Sequence, residues 1–381
     1  ADVPRLAQEM PWFEPKLDVR PLPDWETLPY DVLSPQEELV SERLEALYRL
    51  TAPTGGADVL LTSAVTASQR LSPVSYIGAN TFFFHQGEQI SLTTLQKRLA
   101  AAGYANVKQV LAAGEFAVRG SIVDVFPMGS ERPFRLDFFD DEIESIRWFD
   151  VDTQRSMESA EEIRLLPGHE FPVDPEALLA FRQRWRREFA GDPKKSIVYC
   201  DIEKEILPPG IEYYLPLFFD ETAALTDYLP PNARVFLLGD IEAALQAFGR
   251  DMASRYKVFA ADPQRPALAP ERIWLKPEEF FKSLANFARF TVEKKENAED
   301  LKRLSGIEVD RKSQNPVGKL LERTRESAMK GVRTLIAAPS AGRMETMSQL
   351  LRTGGLSVEE FPDWQTFLEA DSALGIAAAP L

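Results

Sequence analysis

The run Phe134-Arg-Leu-Asp-Phe-Phe139 alternates apolar and polar side chains, and similar apolar runs flank it at Ser121-Ile-Val-Asp-Val-Phe126 and Ile143-Glu-Ser-Ile-Arg-Trp-Phe149. Turn-forming residues separate the three runs, at Pro127-Met-Gly-Ser130 and at Asp140-Asp141. Alternating runs divided by such turns are typical of antiparallel strands. The sequence therefore predicts an antiparallel β-meander.

The two faces of the central run differ in chemistry. Successive side chains of a strand point to opposite faces, so Phe134, Leu136 and Phe138 share one face, which we expect to be a core face. Arg135, Asp137 and Phe139 lie on the other face, where a solvent-exposed strand prefers polar residues to an aromatic ring.

Arg119 lies on the approach to a neighbouring strand and adds a second arginine to this surface. Arginine beside an aromatic ring on a rigid sheet is the composition of a protein-binding hot spot. In the alternative interpretation, Phe139 packs under a loop and the arginines pair with nearby carboxylates. The residues alone leave both interpretations open.

The segments around the meander have other textures. A predicted helix, Ser91–Ala102, ends at Gly103 and completes an α+β unit with the meander. Before it, Ser34-Pro35 predicts a helix start, with serine as the N-cap and proline in the first position. Helices and strands also alternate after the unit, as in an α/β domain. Thr291–Gln314 is highly charged and poor in aromatic residues, as linkers and solvated helices are.

Composition narrows the function classes. The 381 residues carry 44 Lys+Arg against 59 Asp+Glu, giving a net charge of −15, with one Cys and two His. A length of this size predicts two to four domains. The single Cys200 excludes a disulfide scaffold, and the acidic balance argues against a broad nucleic-acid surface. No stretch reaches the roughly 20 apolar residues of a membrane-spanning helix.

The sequence contains no complete catalytic or cofactor site that we can identify. It has no Gly-x4-Gly-Lys-Ser/Thr phosphate loop, since Ser313 stands where Gly318-Lys319 would require the first glycine. The run Phe138-Phe139-Asp140-Asp141-Glu142 imitates a magnesium-binding Walker B motif, but we interpret its acidic part as a turn between two strands. His85 and His169 have no partners at metal-ligand spacing. We therefore expect no catalytic residue, no metal and no cofactor in this chain.

Several long motifs carry a family resemblance. They are Asp24-Trp-Glu-Thr-Leu-Pro-Tyr-Asp31, Gly114-Glu-Phe-Ala-Val-Arg-Gly120, Asp124-Val-Phe-Pro-Met-Gly-Ser130, Arg135-Leu-Asp-Phe-Phe-Asp-Asp-Glu-Ile143, Leu166-Pro-Gly-His-Glu-Phe-Pro172 and Leu207-Pro-Pro-Gly-Ile-Glu-Tyr213. Together they resemble the amino-terminal module of the bacterial transcription-repair coupling factors, the Mfd family. That module is itself similar to the excision-repair helicase UvrB.

The resemblance implies a split, incomplete helicase-like (UvrB-like) α/β domain with an inserted α+β domain and a small C-terminal α/β domain. The implied boundaries are 1–79 and 167–290 for the two parts of the split domain, 80–166 for the inserted domain, 291–315 for a charged linker and 316–381 for the last domain. The segment between Tyr30 and Glu37 is too short for the DNA-gripping β-hairpin of UvrB. We expect the chain to be a piece of a longer protein.

The resemblance also implies a function. In the family, the inserted domain binds the damage sensor UvrA, at positions that fall on Arg119, Arg135 and Phe139 of this sequence. The C-terminal part of the intact protein masks this surface. RNA polymerase, double-stranded DNA, ATP and Mg²⁺ belong to parts expected beyond residue 381, and the family is cytoplasmic. We thus expect a non-catalytic recruitment module. The main alternative is a nucleic-acid-binding or ATPase fragment of a UvrB-like protein, and a second alternative is a purely structural spacer.

Overall fold

The computed structural model describes residues 2–52, 56–292 and 318–380, which combine α-helices with several separate β-sheets. The helices are α1 Asp2–Phe13, α2 Glu37–Thr51, α3 Ala64–Ala67, α4 Val74–Ala79, α5 Leu92–Ala101, α6 Pro175–Glu188, α7 Ile197–Glu203, α8 Ile241–Phe259, α9 Pro270–Ile273, α10 Pro277–Ser283, α11 Gly318–Met329, α12 Ala341–Thr353 and α13 Trp364–Glu369. Short 3₁₀ helices cover Pro193–Lys195, Ile211–Leu217, Leu225–Tyr228 and Leu284–Asn286.

The strands are β1 Val19–Leu22, β2 Val59–Thr62, β3 Phe82–His85, β4 Ala105–Asn106, β5 Glu115–Arg119, β6 Ile122–Val125, β7 Phe134–Phe139, β8 Glu142–Phe149, β9 Ser156–Ala160, β10 Glu162–Leu165, β11 Arg234–Leu238, β12 Ala288–Val292, β13 Thr334–Ala338, β14 Glu359–Phe361 and β15 Leu374–Ala378. By its backbone contacts the chain divides into two compact units, residues 22–57 with 62–293 and residues 1–21 with 58–61 and 294–381.

The predicted meander is confirmed as the centre of a larger sheet. Strands β6, β7 and β8 pair antiparallel in sequence order. Antiparallel β5 and β9 flank them, and the short β4 pairs parallel to β5, so the sheet has the order β4-β5-β6-β7-β8-β9. The sequence did not predict these outer strands, because β4 spans two residues and β9 is almost wholly polar.

The predicted faces of β7 are also confirmed. Phe134, Leu136 and Phe138 are buried, whereas Phe139 is exposed. A β-bulge between Asp137 and Phe138 shifts the pairing with β8 without changing this alternation. The acidic run is a tight turn between β7 and β8, as interpreted, in which Asp140 takes a φ of 52°. One face of β7 is therefore core, and the other face is exposed at Phe139.

Segments before and after the six-stranded sheet pack together within the unit of residues 22–57 and 62–293. Trp25 and Tyr30 join an aromatic core whose other members come from residues 171–274. Arg43 of α2 forms a buried ion pair with Glu170, at 2.6 Å between Nε and Oε1. Chain segments more than a hundred residues apart thus share one core, and the sheet lies between them in sequence.

The predicted start of α2 is wrong. The helix begins at Glu37, its N-cap is Gln36, and no side chain caps it. The hydroxyl of Ser34 instead donates to the buried Glu212 at 2.8 Å and accepts from the Gly210 backbone N–H at 3.0 Å. The Ser34 hydroxyl therefore binds a residue that is distant in sequence and does not cap α2.

The other unit contains a parallel three-stranded sheet of order β13-β15-β14. Its core includes Leu321 of α11, Leu351 of α12 and Ile376 of β15. The Phe13 and Trp364 rings of α1 and α13 lie 6.1 Å apart in an edge-on contact. Of the predicted linker 291–315, the first two residues end β12 and the rest lies outside the described residues.

Candidate protein-binding site

The six-stranded sheet brings Arg119, Arg135 and Phe139 to one face. Arg119 is the last residue of β5, and the other two residues lie on β7, with β6 between the two strands. Residues paired directly across a sheet share a face. The register pairs Asp124 of β6 with Arg135, and it pairs Ile122 with both Arg119 and Asp137. All three predicted residues therefore point to the same side.

Phe139 is exposed at the end of this face. Its side chain is 69% exposed, and it is the last residue of β7 before the tight turn at Asp140. Its cross-strand partner is Glu142, which is also exposed. The interpretation that Phe139 packs under a loop is therefore wrong. A large apolar side chain on a hydrogen-bonded strand can enter a partner's pocket without first losing contacts in its own core.

The two arginines meet at one buried carboxylate. Arg135 donates two hydrogen bonds to Asp124, from Nε to Oδ1 at 2.6 Å and from Nη2 to Oδ2 at 3.0 Å. Arg119 donates from Nη2 to the same Oδ2 at 2.7 Å. The side chain of Asp124 is only 1% exposed. The expectation that the arginines pair with nearby carboxylates thus holds, and it holds together with the exposure of Phe139.

The environments of the two arginines differ. Arg135 is mostly buried, lies over the Phe149 ring at 5.0 Å, and donates from Nη1 to the Gln154 carbonyl at 3.2 Å and to the Ser156 hydroxyl at 3.3 Å. Its hydrogen bond to Asp124 raises its pKa above the usual value. Arg119, in contrast, is 51% exposed. The site therefore offers one embedded and one accessible guanidinium.

Sequence reasoning missed Asp124 and Gln154. A charged residue inside the apolar run of β6 was the available signal, because a carboxylate is buried only when it is paired. Which arginines would pair with it depended on strand register. Gln154 lies in the β8–β9 connection with a φ of 57° and presents its carbonyl to Arg135. Nothing in its local sequence predicts that role.

The two histidines have different neighbours. His169 is partly buried and stacks on Phe171, with ring centroids 5.4 Å apart, and desolvation lowers the pKa of His169 to about 4. His85 lies beside Glu162, at 3.6 Å. Within residues 2–52, 56–292 and 318–380, no group of three His, Cys, Asp or Glu side chains is arranged to hold a metal ion. None of the helices described there has both the length and the apolar character needed to cross a membrane.

Comparison with protein families defines the class of protein to which this surface belongs. Residues 82–171 match the family model of the UvrB interaction domain, which contains the whole six-stranded sheet. Residues 328–381 match the MFD D3 domain. The chain is thus one that joins a UvrB interaction domain to an MFD D3 domain.

Individual relatives define the family. The chain is 43% identical over 286 residues to the transcription-repair-coupling factor of Escherichia coli K12, covering 75% of this chain and 25% of that protein. It is 40% identical over 344 residues to that of Haemophilus influenzae, covering 88% and 29%. The Bacillus subtilis protein is 32% identical over 216 residues, covering 52% and 18%. The chain belongs to the transcription-repair-coupling factors, and it spans about a quarter of the length of these relatives.

Proposed function

We propose that this chain is a non-catalytic recruitment module that binds UvrA through Arg119, Arg135 and Phe139. One observation carries the proposal: an exposed phenylalanine and an anchored arginine pair share one face of a rigid sheet inside the UvrB interaction domain. Hot spots combine a rigid aromatic anchor with arginine in this manner. The family resemblance supplies the identity of the partner.

The wider role follows from the same resemblance. We propose that residues 80–166 are an inserted UvrA-binding domain in a split UvrB-like α/β domain, formed by 1–79 and 167–290, with 316–381 as a small separate domain. We also propose that other parts of the longer family proteins bind RNA polymerase, double-stranded DNA, ATP and Mg²⁺. In those proteins a C-terminal region masks the UvrA surface, and the proteins act in the cytoplasm. The buried Arg43–Glu170 pair supports the split domain, because it joins segments on either side of the sheet.

Phe139→Ala should weaken UvrA binding by about 2 kcal/mol or more, as the loss of a hot-spot anchor does. Its thermal unfolding should barely change, because exposed substitutions usually stay within about 0.5 kcal/mol. Calorimetric titration with UvrA measures the affinity. Thermal unfolding of the variant and of the unmodified chain measures the stability. Phe236→Ala is the matched control, since Phe236 is also a strand phenylalanine and is 58% exposed. Equal binding by Phe139→Ala and the unmodified chain would contradict the proposed site.

We expect titration of the chain with ATP and Mg²⁺ to give no saturable binding in the micromolar range. Phosphate binding needs a cradle of backbone N–H groups and a lysine, and the sequence has no complete phosphate loop. Lys319→Ala is the control for any weak signal, because Gly318-Lys319 is the nearest sequence to that motif. Saturable binding that this variant abolishes would favour the ATPase alternative, and tight DNA binding at roughly 200 mM salt would favour a nucleic-acid role.

A further inference from the structure

Asp124 has an unusual position for a carboxylate. It lies in the central part of β6, almost without solvent exposure, and both of its oxygens accept from arginine. Burying a carboxylate costs free energy unless it is paired and hydrogen-bonded. Here the pairing involves both Arg119 and Arg135, on the two strands that flank β6. The carboxylate therefore joins side chains of three adjacent strands.

The hydrogen-bond donors of the two arginines are used differently. Every guanidinium nitrogen of Arg135 has an acceptor inside the chain, because Nε and Nη2 bind Asp124 and Nη1 binds residues of the β8–β9 segment. Arg119 uses only Nη2, towards Asp124 and, at 3.4 Å, towards the Gln154 side chain. Among the described residues, no acceptor contacts its Nε or Nη1. Arg119 is therefore the arginine with donors left for a partner.

We propose that Asp124 is a positioning residue for UvrA binding: it fixes the guanidinium of Arg119 on the sheet, and Arg135 holds this buried carboxylate in place through two hydrogen bonds. The inference rests on the proposed function, and it gives Arg119, Arg135 and Asp124 separate roles. Within the proposed site, Arg119 and Phe139 contact the partner directly. Arg135 contributes to binding indirectly, because its donors are used inside the chain and it acts through Asp124 on Arg119. The partner surface should then offer hydrogen-bond acceptors to Arg119, carboxylates above all, beside an apolar pocket for Phe139.

The physical reason is preorganisation. A free arginine loses much of its rotamer freedom when it binds a partner, and this loss of side-chain entropy reduces affinity. A guanidinium already held by a buried carboxylate has given up that freedom during folding. Arg119 therefore presents its remaining N–H donors to a partner in a fixed position.

A double-mutant cycle in UvrA binding tests the proposal. Asp124→Asn keeps the size of the side chain and removes its charge, and we expect it to weaken UvrA binding about tenfold or more. In an Arg119→Ala background the same change should cost less than about twofold, because the group that it positions is gone. A merely structural role for Asp124 would give equal losses in both backgrounds, and that result would overturn the proposal, as would unchanged binding by Asp124→Asn.

Controls separate the possible failures. Asp220→Asn removes an aspartate that is ion-paired with Arg184 outside the UvrB interaction domain, and it should bind UvrA normally. Thermal unfolding of each variant gives the fraction of folded protein, and the measured affinity is corrected for that fraction. If Asp124→Asn does not fold, the cycle of Arg119→Ala with Arg135→Met replaces it; coupled losses support the shared carboxylate and additive losses overturn it. Absence of UvrA binding by the unmodified chain would count against the proposed function itself.

Discussion

Glu170→Ala should lower the free energy of unfolding by about 3–5 kcal/mol, because it leaves the buried Arg43 charge without its partner. Arg43 is fully buried and gives Glu170 two hydrogen bonds, from Nε at 2.6 Å and from Nη2 at 3.1 Å. The indole N–H of Trp25 donates to the same carboxylate at 3.0 Å. One substitution therefore breaks three hydrogen bonds and strands a cation in the protein interior.

Denaturant unfolding of the unmodified chain and the variant measures this effect. Asp220→Ala is the matched control, because it removes the partner of Arg184 from an exposed pair whose aspartate is 93% exposed. Surface pairs contribute about 0–1 kcal/mol, so the control should unfold almost normally. The double variant Arg43→Met with Glu170→Leu should lose less stability than the two single variants added together. Strictly additive losses, or a Glu170→Ala loss below about 1 kcal/mol, would contradict a buried and coupled pair.

Local pattern was sufficient for much of the sheet. The period of two placed Phe134, Leu136 and Phe138 in the core, because that period depends only on strand geometry. The turn at Asp140 was likewise predictable, since short polar residues tolerate positive φ. Both features depend on neighbours in sequence, and both are confirmed.

Features that depend on distant residues were not predictable. Arg43 and Glu170 are 127 positions apart, and no local signal connects them. Ser34 satisfied every local rule for a helix cap, yet its hydroxyl binds Glu212 from a segment 178 residues away. Asp124 was visible as a charge in an apolar run, but its two arginines became identifiable only with the strand register. Candidate residues of the site followed from a family resemblance, whereas the contacts among them required the structure.

Glu212→Gln should stabilise the chain at neutral and alkaline pH and leave acid stability little changed. Burial raises the pKa of Glu212 from its ordinary 4.5 to about 7, against the opposing effects of its hydrogen bonds, the one from Ser34 included. In the unfolded chain this carboxyl ionises near pH 4.5, whereas in the folded chain it keeps its proton until about pH 7. The unfolded state therefore binds fewer protons in this window, and stability falls as pH rises through it.

The full loss of unfolding free energy is present above about pH 7, where Glu212 is a buried carboxylate in the folded chain. A shift of this size corresponds to about 3 kcal/mol, with a slope near 1.4 kcal/mol per pH unit between the two pKa values. The difference in unfolding free energy between Glu212→Gln and the unmodified chain should thus grow from about pH 4.5 and level off above pH 7. Denaturant unfolding at a series of pH values measures that difference directly.

His169 provides a control of opposite sign. Burial lowers its pKa from 6.5 to about 4, so only the unfolded chain gains a proton as pH falls through that range, and stability falls with it. The two groups offset one another between about pH 4.5 and 6.5, and the unmodified chain should respond to pH less steeply there than either single variant. His169→Gln should make stability fall more steeply with rising pH, whereas Glu212→Gln should make it rise. A Glu212→Gln difference that stays constant from pH 4.5 to 8 would show that the buried carboxyl does not titrate in this window.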